Sequence, residues 1–401
     1  MHRRKFLALG AGILLPLGLK VWVARSQSVP RDTPKLIVVF LRGAIDGLSV
    51  AVPYQAEEYY SLRPTIALSQ PQTAGGVIDL DGYFGLNPHL EALMPMWQAG
   101  NLAFVHNCGF PAQKRSHFEA QDDLEMGVTG EERTQDGWLN RLLALLSLGN
   151  PTQGISVGKN IPLIFQGTQA VANLPTTRRI NNLPIDRPLI DEAFSLLYSG
   201  DDPASKAYQS GLQARKIILA QLQQEMNSSA RGAYYSIGLA EDARRLASLM
   251  KGDSQTQLGF MEIGGWDTHI NQKPRLNKLL TSLGKGLSTL VTELGSVYNQ
   301  TIIIVMSEFG RTVAENGNNG TDHGKGNLMW ILGGKVKGGK MYGNWSGLES
   351  SQLAEGRELP VTTDFRTVIT PILQQHLRIP PEKLTTIFPD FSPPQELNLF
   401  A

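Results

Sequence analysis

The chain has 401 residues, 41% of them hydrophobic, so it can bury a large core and does not have the composition of a disordered chain. Lys plus Arg number 37 and Asp plus Glu 36, a balance that gives no electrostatic case for nucleic-acid binding. A single cysteine, Cys108, excludes an intrachain disulfide and a thiolate zinc cluster; any metal must be held by His, Asp, Glu or a hydroxyl.

Residues 1–26 read as an export address. Arg3-Arg4 stand before Lys5-Phe6-Leu7 and an apolar stretch from Leu7 to Leu19, which is too short and too broken by Gly and Pro for a membrane span. A basic start, an apolar middle and a small-residue exit at Ala24-Arg25-Ser26 describe a signal peptide. The arginine pair favours the twin-arginine route, which exports folded proteins, over an ordinary secretory signal or an anchor helped by Val21-Trp22-Val23. The expected location is the periplasm or the exterior, with the Tat translocase as a transient partner and no stable membrane span after cleavage. Residues 27–401 read as one domain.

Lys35 to Leu41 is a continuous apolar run, the pattern of a strand buried on both faces. It exits into Arg42-Gly43-Ala44-Ile45-Asp46-Gly47, where Asp46 is either a metal ligand or an Asp-Gly turn residue. Residues 53–87 read as loops and a short hairpin, and Pro88 to Gln98 as a helix stopped by Gly100. Asn101 to Val105 is a second buried strand, and His106-Asn107-Cys108 is its polar exit. The spacing turns helical at Arg115-Ser116-His117-Phe118-Glu119. Ser116, three residues before Glu119, fits a capping box; equally, it fits a nucleophile at a helix N-terminus, where free N–H groups favour an anion. His117 beside it is a ligand, a base or a solvent-facing first-turn residue.

Asp136 to Leu148 predicts a helix, and Ile155-Ser156-Val157 and Leu163-Ile164-Phe165 predict strands. From Ile190 to about Lys251 the pattern is mostly helical, an outer layer or an inserted cap. Gln257 to Ile263 is a strand that exits into Gly264-Gly265-Trp266-Asp267-Thr268-His269. Asp267 and His269, two apart on an extended segment, project to one side and can reach one ion; Gly265 leaves room for close backbone approach. A helix from Pro274 to Tyr298 leads to the strand Ile302 to Met306, so strand, Asp-x-His, helix, strand and Glu308 form a βαβ unit with ligands at successive strand ends. A Gly- and Asn-rich loop then closes on Asp322-His323-Gly324 before the apolar run Leu328 to Leu332. In open α/β sheets ligands collect beyond the carboxyl ends of the strands, and Glu308, Asp322 and His323 offer groups that zinc, manganese or iron accept. Asp364 to Leu377 predicts a terminal helix, with His376 as a surface or packing residue.

Five motifs in this order, FLRGAIDGL (40–48), RSHFEAQD (115–122), GGWDTH (264–269), SEFGRT (307–312) and TDHGKG (321–326), resemble the exported family called domain of unknown function 1501. That family is similar to a divergent branch of the alkaline phosphatase and sulfatase superfamily. The resemblance implies a three-layer α/β fold, a mostly parallel sheet with helices on both faces and a helical insertion over about 190–251. It implies a metal-dependent hydrolase of phosphate or sulfate esters, or a non-catalytic metal-binding or envelope assembly protein that keeps the fold. Asp46, Asp267, His269, Glu308 and His323 resemble metal ligands, with Asp322 in reserve, for one or two divalent ions: zinc, manganese, iron or calcium. Ser116 falls in the nucleophile's region with His117 beside it, and Arg42, Arg115 and Arg311 are placed to receive a small anionic ester. Three departures weaken the case for two metals and are compatible with one metal or with lost catalysis. The Asp267–His269 spacing is short, Glu308 replaces an Asp, and Phe309 stands where a His would follow.

Overall fold

The computed structural model describes residues 33–111, 115–128, 134–146, 150–176, 187–229, 238–389, 391–393 and 397–400; the signal expected over 1–26 lies outside them. The expected α/β fold is the one observed. Among the described residues nine strands form the main sheet: β1 (Lys35–Arg42), β5 (Leu102–Gly109), β6 (Gly154–Val157), β7 (Ala172–Leu174), β8 (Leu258–Gly264), β9 (Thr301–Met306), β10 (Asn327–Gly333), β11 (Lys340–Tyr342) and β12 (Thr363–Asp364). Three short strands, β2 (Ala51–Val52), β3 (Ile78–Asp79) and β4 (Gly85–Leu86), make a small separate sheet, and a helix Glu57–Leu62 lies between β2 and β3, where only loops and a hairpin were expected.

The main order is β11-β5-β10-β9-β1-β8-β6-β7, with β12 on β5. β1 pairs in parallel with both β8 and β9, so the predicted βαβ unit crosses over β1 through the Gln272–Leu294 helix. β10 runs antiparallel to both its neighbours, β9 and β5. Its first residue therefore lies at the carboxyl ends of the strands around it, which brings the His323 loop to the exits of β1, β8 and β9.

The alternation of β1 builds two cores. Ile37, Val39 and Leu41 face Leu246 and Met250 of the Leu239–Gly252 helix and Leu280 and Leu287 of the Gln272–Leu294 helix. Leu36, Val38 and Phe40 face Leu124, Leu139 and Val368 on the other side. Burial on both faces is why these strands read as unbroken apolar runs. Helices Pro188–Leu197, Pro203–Ser229 and Leu239–Gly252 fill the predicted helical region, and the last is part of the covering layer.

Two expectations need correction. Leu163–Phe165 forms a single 3₁₀ turn, with Pro162 at its start, not a strand. The strand expected to end at Val105 continues to Gly109, because Cys108 and Gly109 pair with Thr363 and Asp364 of β12. His106 and Asn107 are thus buried strand residues and not a polar exit. No helix among the described residues is long and apolar enough to cross a membrane.

Candidate metal centre

Four side chains converge beyond the carboxyl ends of β1, β8 and β9. His117 comes from the first residue of the His117–Met126 helix, Asp267 and His269 from the exit of β8, and His323 from the loop before β10. The Asp267 Oδ1 atom lies 3.5 Å from His117 Nε2, 3.1 Å from His269 Nε2 and 3.4 Å from His323 Nε2. His269 Nε2 and His323 Nε2 are 3.1 Å apart. His117, Asp267 and His323 each present a ligand atom within 4.8 Å of the others. A tetrahedral ion with bonds of about 2.0–2.1 Å has ligand-to-ligand edges of about 3.3 Å, the size of the spacings around Asp267 Oδ1.

The outward nitrogens explain the convergence. His117 Nδ1 meets Glu308 Oε1 at 2.7 Å, His269 Nδ1 meets Asp322 Oδ1 at 3.1 Å, and His323 Nδ1 meets the Arg115 carbonyl at 3.1 Å. A carbonyl and an ionised carboxylate only accept, so each Nδ1 carries a proton and donates it. In the neutral imidazole the Nε2 atom is then a bare lone pair. The Nε2 atoms of the three rings thus lie 3.1 to 3.5 Å from one carboxylate oxygen, and two of them lie 3.1 Å from each other. Arg311 Nη2 donates to the same Asp267 Oδ1 at 2.5 Å and supplies one positive charge there; histidines held at their second nitrogen by carboxylates or carbonyls are what metal sites employ.

The electrostatics are graded around this point. The hydrogen bond to Glu308 raises the pKa of His117 against its partial burial. Burial acts to raise Glu308, but hydrogen bonds from His117 and Gln121 outweigh it and hold the carboxyl below its usual range. Burial acts the same way on Asp267, and the hydrogen bond and charge of Arg311 overcome it. Burial, helped by the charges of His117 and Arg311, lowers His323 and favours its neutral form. Asp322 is lowered first by its hydrogen bond from Asn316. The cluster is open to solvent: the Asp267 side chain is 46% exposed and that of His269 38%.

The remaining candidates are placed as follows. Glu308 is fully buried and holds His117 from behind, with further donors at Gly43 N and Gln121 Nε2, both 2.8 Å away. Asp322 holds His269 in the same way. Asp46 is buried and paired with Arg63, at 2.5 and 3.0 Å, and also accepts from Ser49 at 2.5 Å and Gln272 at 2.7 Å. Burial acts to raise its pKa and Arg63 holds it low. Phe309 stacks on the His117 ring, centroids 4.8 Å apart. Ser116 is the N-cap residue, but its hydroxyl makes no capping bond, so the capping-box reading is corrected. Each of the three arginines is already engaged. Arg42 pairs with Glu125 and Glu262, Arg115 with Glu355 and Glu358, and the buried Arg311 with Asp267 and the carbonyls of Gly43, Ala44, Trp266 and Thr321.

Two glycines fix the backbone around the site. Gly43 has φ +117°, and a Cβ there would lie 2.5 Å from Asp267 N, so the β1 and β8 exits can touch only through glycine. Gly265 has φ +101° but would meet only Leu279 at 3.7 Å; its requirement is conformational, not the close approach expected. Sequence reading missed Gln121, Arg63 and Gln272. Gln121 was legible as a residue four after His117, hence on the same helix face; Arg63 and Gln272 sit in segments with no distinguishing pattern.

The family model described as protein of unknown function (DUF1501) matches residues 33–388. No curated protein matches the chain. Among solved structures, the C-terminal periplasmic domain of EcEptC from Escherichia coli, in complex with Zn, is similar at 8% identity, covering 75% of this chain and 73% of that one, with a TM-score of 0.38. A protein in the alkaline phosphatase superfamily from Vibrio parahaemolyticus is similar at 10% identity, with coverages of 85% and 71% and a TM-score of 0.33. A mutant of TAB5 alkaline phosphatase with bound Mg is similar at 13% identity, with coverages of 75% and 90% and a TM-score of 0.31.

Proposed function

We propose that this chain, which belongs to the DUF1501 family, is a hydrolase of phosphate or sulfate esters built on one divalent ion held by His117, Asp267, His269 and His323. The observation that carries the reading is the inward convergence of three imidazole Nε2 atoms on Asp267 Oδ1, each ring held from behind by an acceptor. The motif resemblance supplies the reaction class. Three nitrogens and one oxygen suit zinc, iron or manganese; calcium favours a larger all-oxygen shell. A divalent ion here supplies positive charge to an ester oxygen and lowers the pKa of a bound water.

The chain's own groups do the positioning. Glu308, Asp322 and the Arg115 carbonyl fix the three imidazole tautomers. Arg311 keeps Asp267 ionised and oriented. Ser116 offers an uncapped hydroxyl one residue from His117, at a helix start whose free N–H groups favour the anionic end of a small ester. With Arg42, Arg115 and Arg311 all engaged, that helix start and the ion receive the substrate's charge. Function outside the cytoplasm after Tat export belongs to the same proposal.

A second reading, a metal-binding protein without catalysis, is favoured by one observation. Where a second ion would need open ligands, Asp46 is bound by Arg63, Glu308 by His117, and Phe309 offers no ligand atom. Elemental mass spectrometry of the purified protein tests the shared part. We expect about one equivalent of zinc, iron or manganese, lost in Asp267→Ala and His323→Ala. Metal-free protein that added ions fail to stabilise would overturn both readings. With the metal loaded, a screen of phosphate and sulfate esters separates them. Turnover that Ser116→Ala lowers at least about a hundredfold marks a serine nucleophile; turnover that survives Ser116→Ala but not His323→Ala marks an activated water; no turnover favours the second reading.

A further inference from the structure

We propose that Gln121 and Arg42 are positioning residues for the metal cluster, acting through Glu308 on His117. The proposal rests on the one-ion reading above. Gln121 stands one helical turn beyond His117, so both side chains leave the same helix face toward the β1 exit. Its Nε2 donates to Glu308 Oε1 at 2.8 Å, and its Oε1 accepts from Arg42 Nη1 at 2.8 Å. The two ends fix the amide's direction. A guanidinium can only donate, so the amide oxygen must face Arg42, and the amide NH₂ is left to face the carboxylate.

Arg42 is itself fixed. It donates to Glu262 Oε2 at 2.6 Å and lies 2.8 Å from Glu125 Oε1, and Glu125 sits on the same helix as His117 and Gln121. The guanidinium therefore ties the end of β1, the end of β8 and the His117 helix together. The chain of donors begins near solvent, with Arg42 23% and Glu262 29% exposed, and ends inside, on a carboxylate with no exposure. Glu308 Oε1 takes three donors in all: Gly43 N, Gln121 Nε2 and His117 Nδ1. Three donors on one oxygen keep the carboxylate ionised and unable to turn. A fixed acceptor at Nδ1 holds the His117 tautomer and points its Nε2 into the cluster. Arg42, expected from sequence to bind substrate, does its work from the far side of the ligand shell.

Gln121→Met tests this. Methionine keeps the volume and removes both hydrogen bonds, while Arg42 retains Glu125 and Glu262 and Glu308 retains Gly43 and His117. We expect zinc affinity, measured by competition with a chromophoric chelator, to fall about tenfold, the low end for groups that orient a ligand. The visible absorption of the cobalt-loaded protein should change shape as the His117 ring shifts, while the urea midpoint of metal-free protein stays put. Gln121→Glu is the second variant: it keeps the bond from Arg42 but presents an oxygen to Glu308, so it must also weaken zinc. Wild-type affinity and an unchanged cobalt spectrum in Gln121→Met, or wild-type affinity in Gln121→Glu, would overturn the proposal. Wild-type protein that takes up neither ion would fail the one-ion reading instead, so the two failures are told apart.

Discussion

Asp46 shows how one residue's neighbours decide its role. A carboxylate just past a buried strand has the sequence position of a ligand, and its partners in space answer differently. Arg63, fully buried, meets both of its oxygens, and Ser49 and Gln272 add donors to Oδ2. An Asp so supplied has little left for a cation, and its charge is needed where it is. Asp46→Asn would leave the Arg63 guanidinium without a countercharge and, even with its oxygen kept toward the three donors on Oδ2, turn an amide NH₂ toward Arg63 Nη2. Removing one partner of a buried ion pair costs roughly 3–5 kcal/mol. We expect that loss in urea unfolding, with the metal stoichiometry of the folded variant unchanged. Unchanged stability with loss of metal would make Asp46 a ligand after all.

The elements that carry the site were legible to different degrees, for physical reasons. β1 and β9 were readable because burial on both faces writes an apolar run. The Asp267–His269 pair was readable because a two-residue spacing on extended chain puts both on one side. The continuation of β5 through His106 and Asn107 was not, since the pairing that keeps it a strand comes from Thr363 and Asp364, far along the chain. The His117–Met126 helix was predicted, but what holds its far end was not. Arg141, from the Trp138–Leu146 helix, donates to the Met126 carbonyl, to Ile387 O at 3.0 Å and to Asp136 Oδ1 at 2.7 Å. A cation on the last carbonyls of a helix offsets its dipole and satisfies acceptors the helix itself cannot. Arg141→Met should destabilise the protein by about 2–3 kcal/mol, the scale of hydrogen bonds to a charged donor. Amide hydrogen exchange over residues 117–126 should speed up with it; exchange as slow as in the wild type would show that the helix is held from elsewhere.

For the whole molecule, near-neutral composition hides where the titrating groups sit. No sequence pattern distinguishes a histidine in a metal cluster from one sealed in the fold, because the difference lies in which strands and loops close over it. His106 is stacked against Phe84, 4.3 Å between centroids, and Trp345, 4.9 Å, and its Nε2 has no partner among the described residues. Burial lowers its pKa to about 3. His376 Nε2 donates to the Lys35 carbonyl, 3.0 Å away, and burial lowers its pKa to about 4. Both fold as neutral rings, whereas the unfolded chain protonates them near the ordinary value of about 6.5. Below that pH the unfolded state binds the extra protons, so stability is full above about 6.5 and falls as the pH drops toward the two folded-state values. Each histidine steepens the fall by up to about 1.4 kcal/mol per pH unit. His106→Phe fills the aromatic stack without a titrating group. Between pH 7 and pH 5 the wild type should therefore lose urea-derived stability relative to His106→Phe, by about 1.4 kcal/mol per unit once below the unfolded value. Because both proteins carry the same cluster of His117, Asp267, His269 and His323, its own acid sensitivity cancels in that difference. Parallel pH curves for the two would mean that His106 takes up its proton within the folded protein, and that the stack between Phe84 and Trp345 opens to let it.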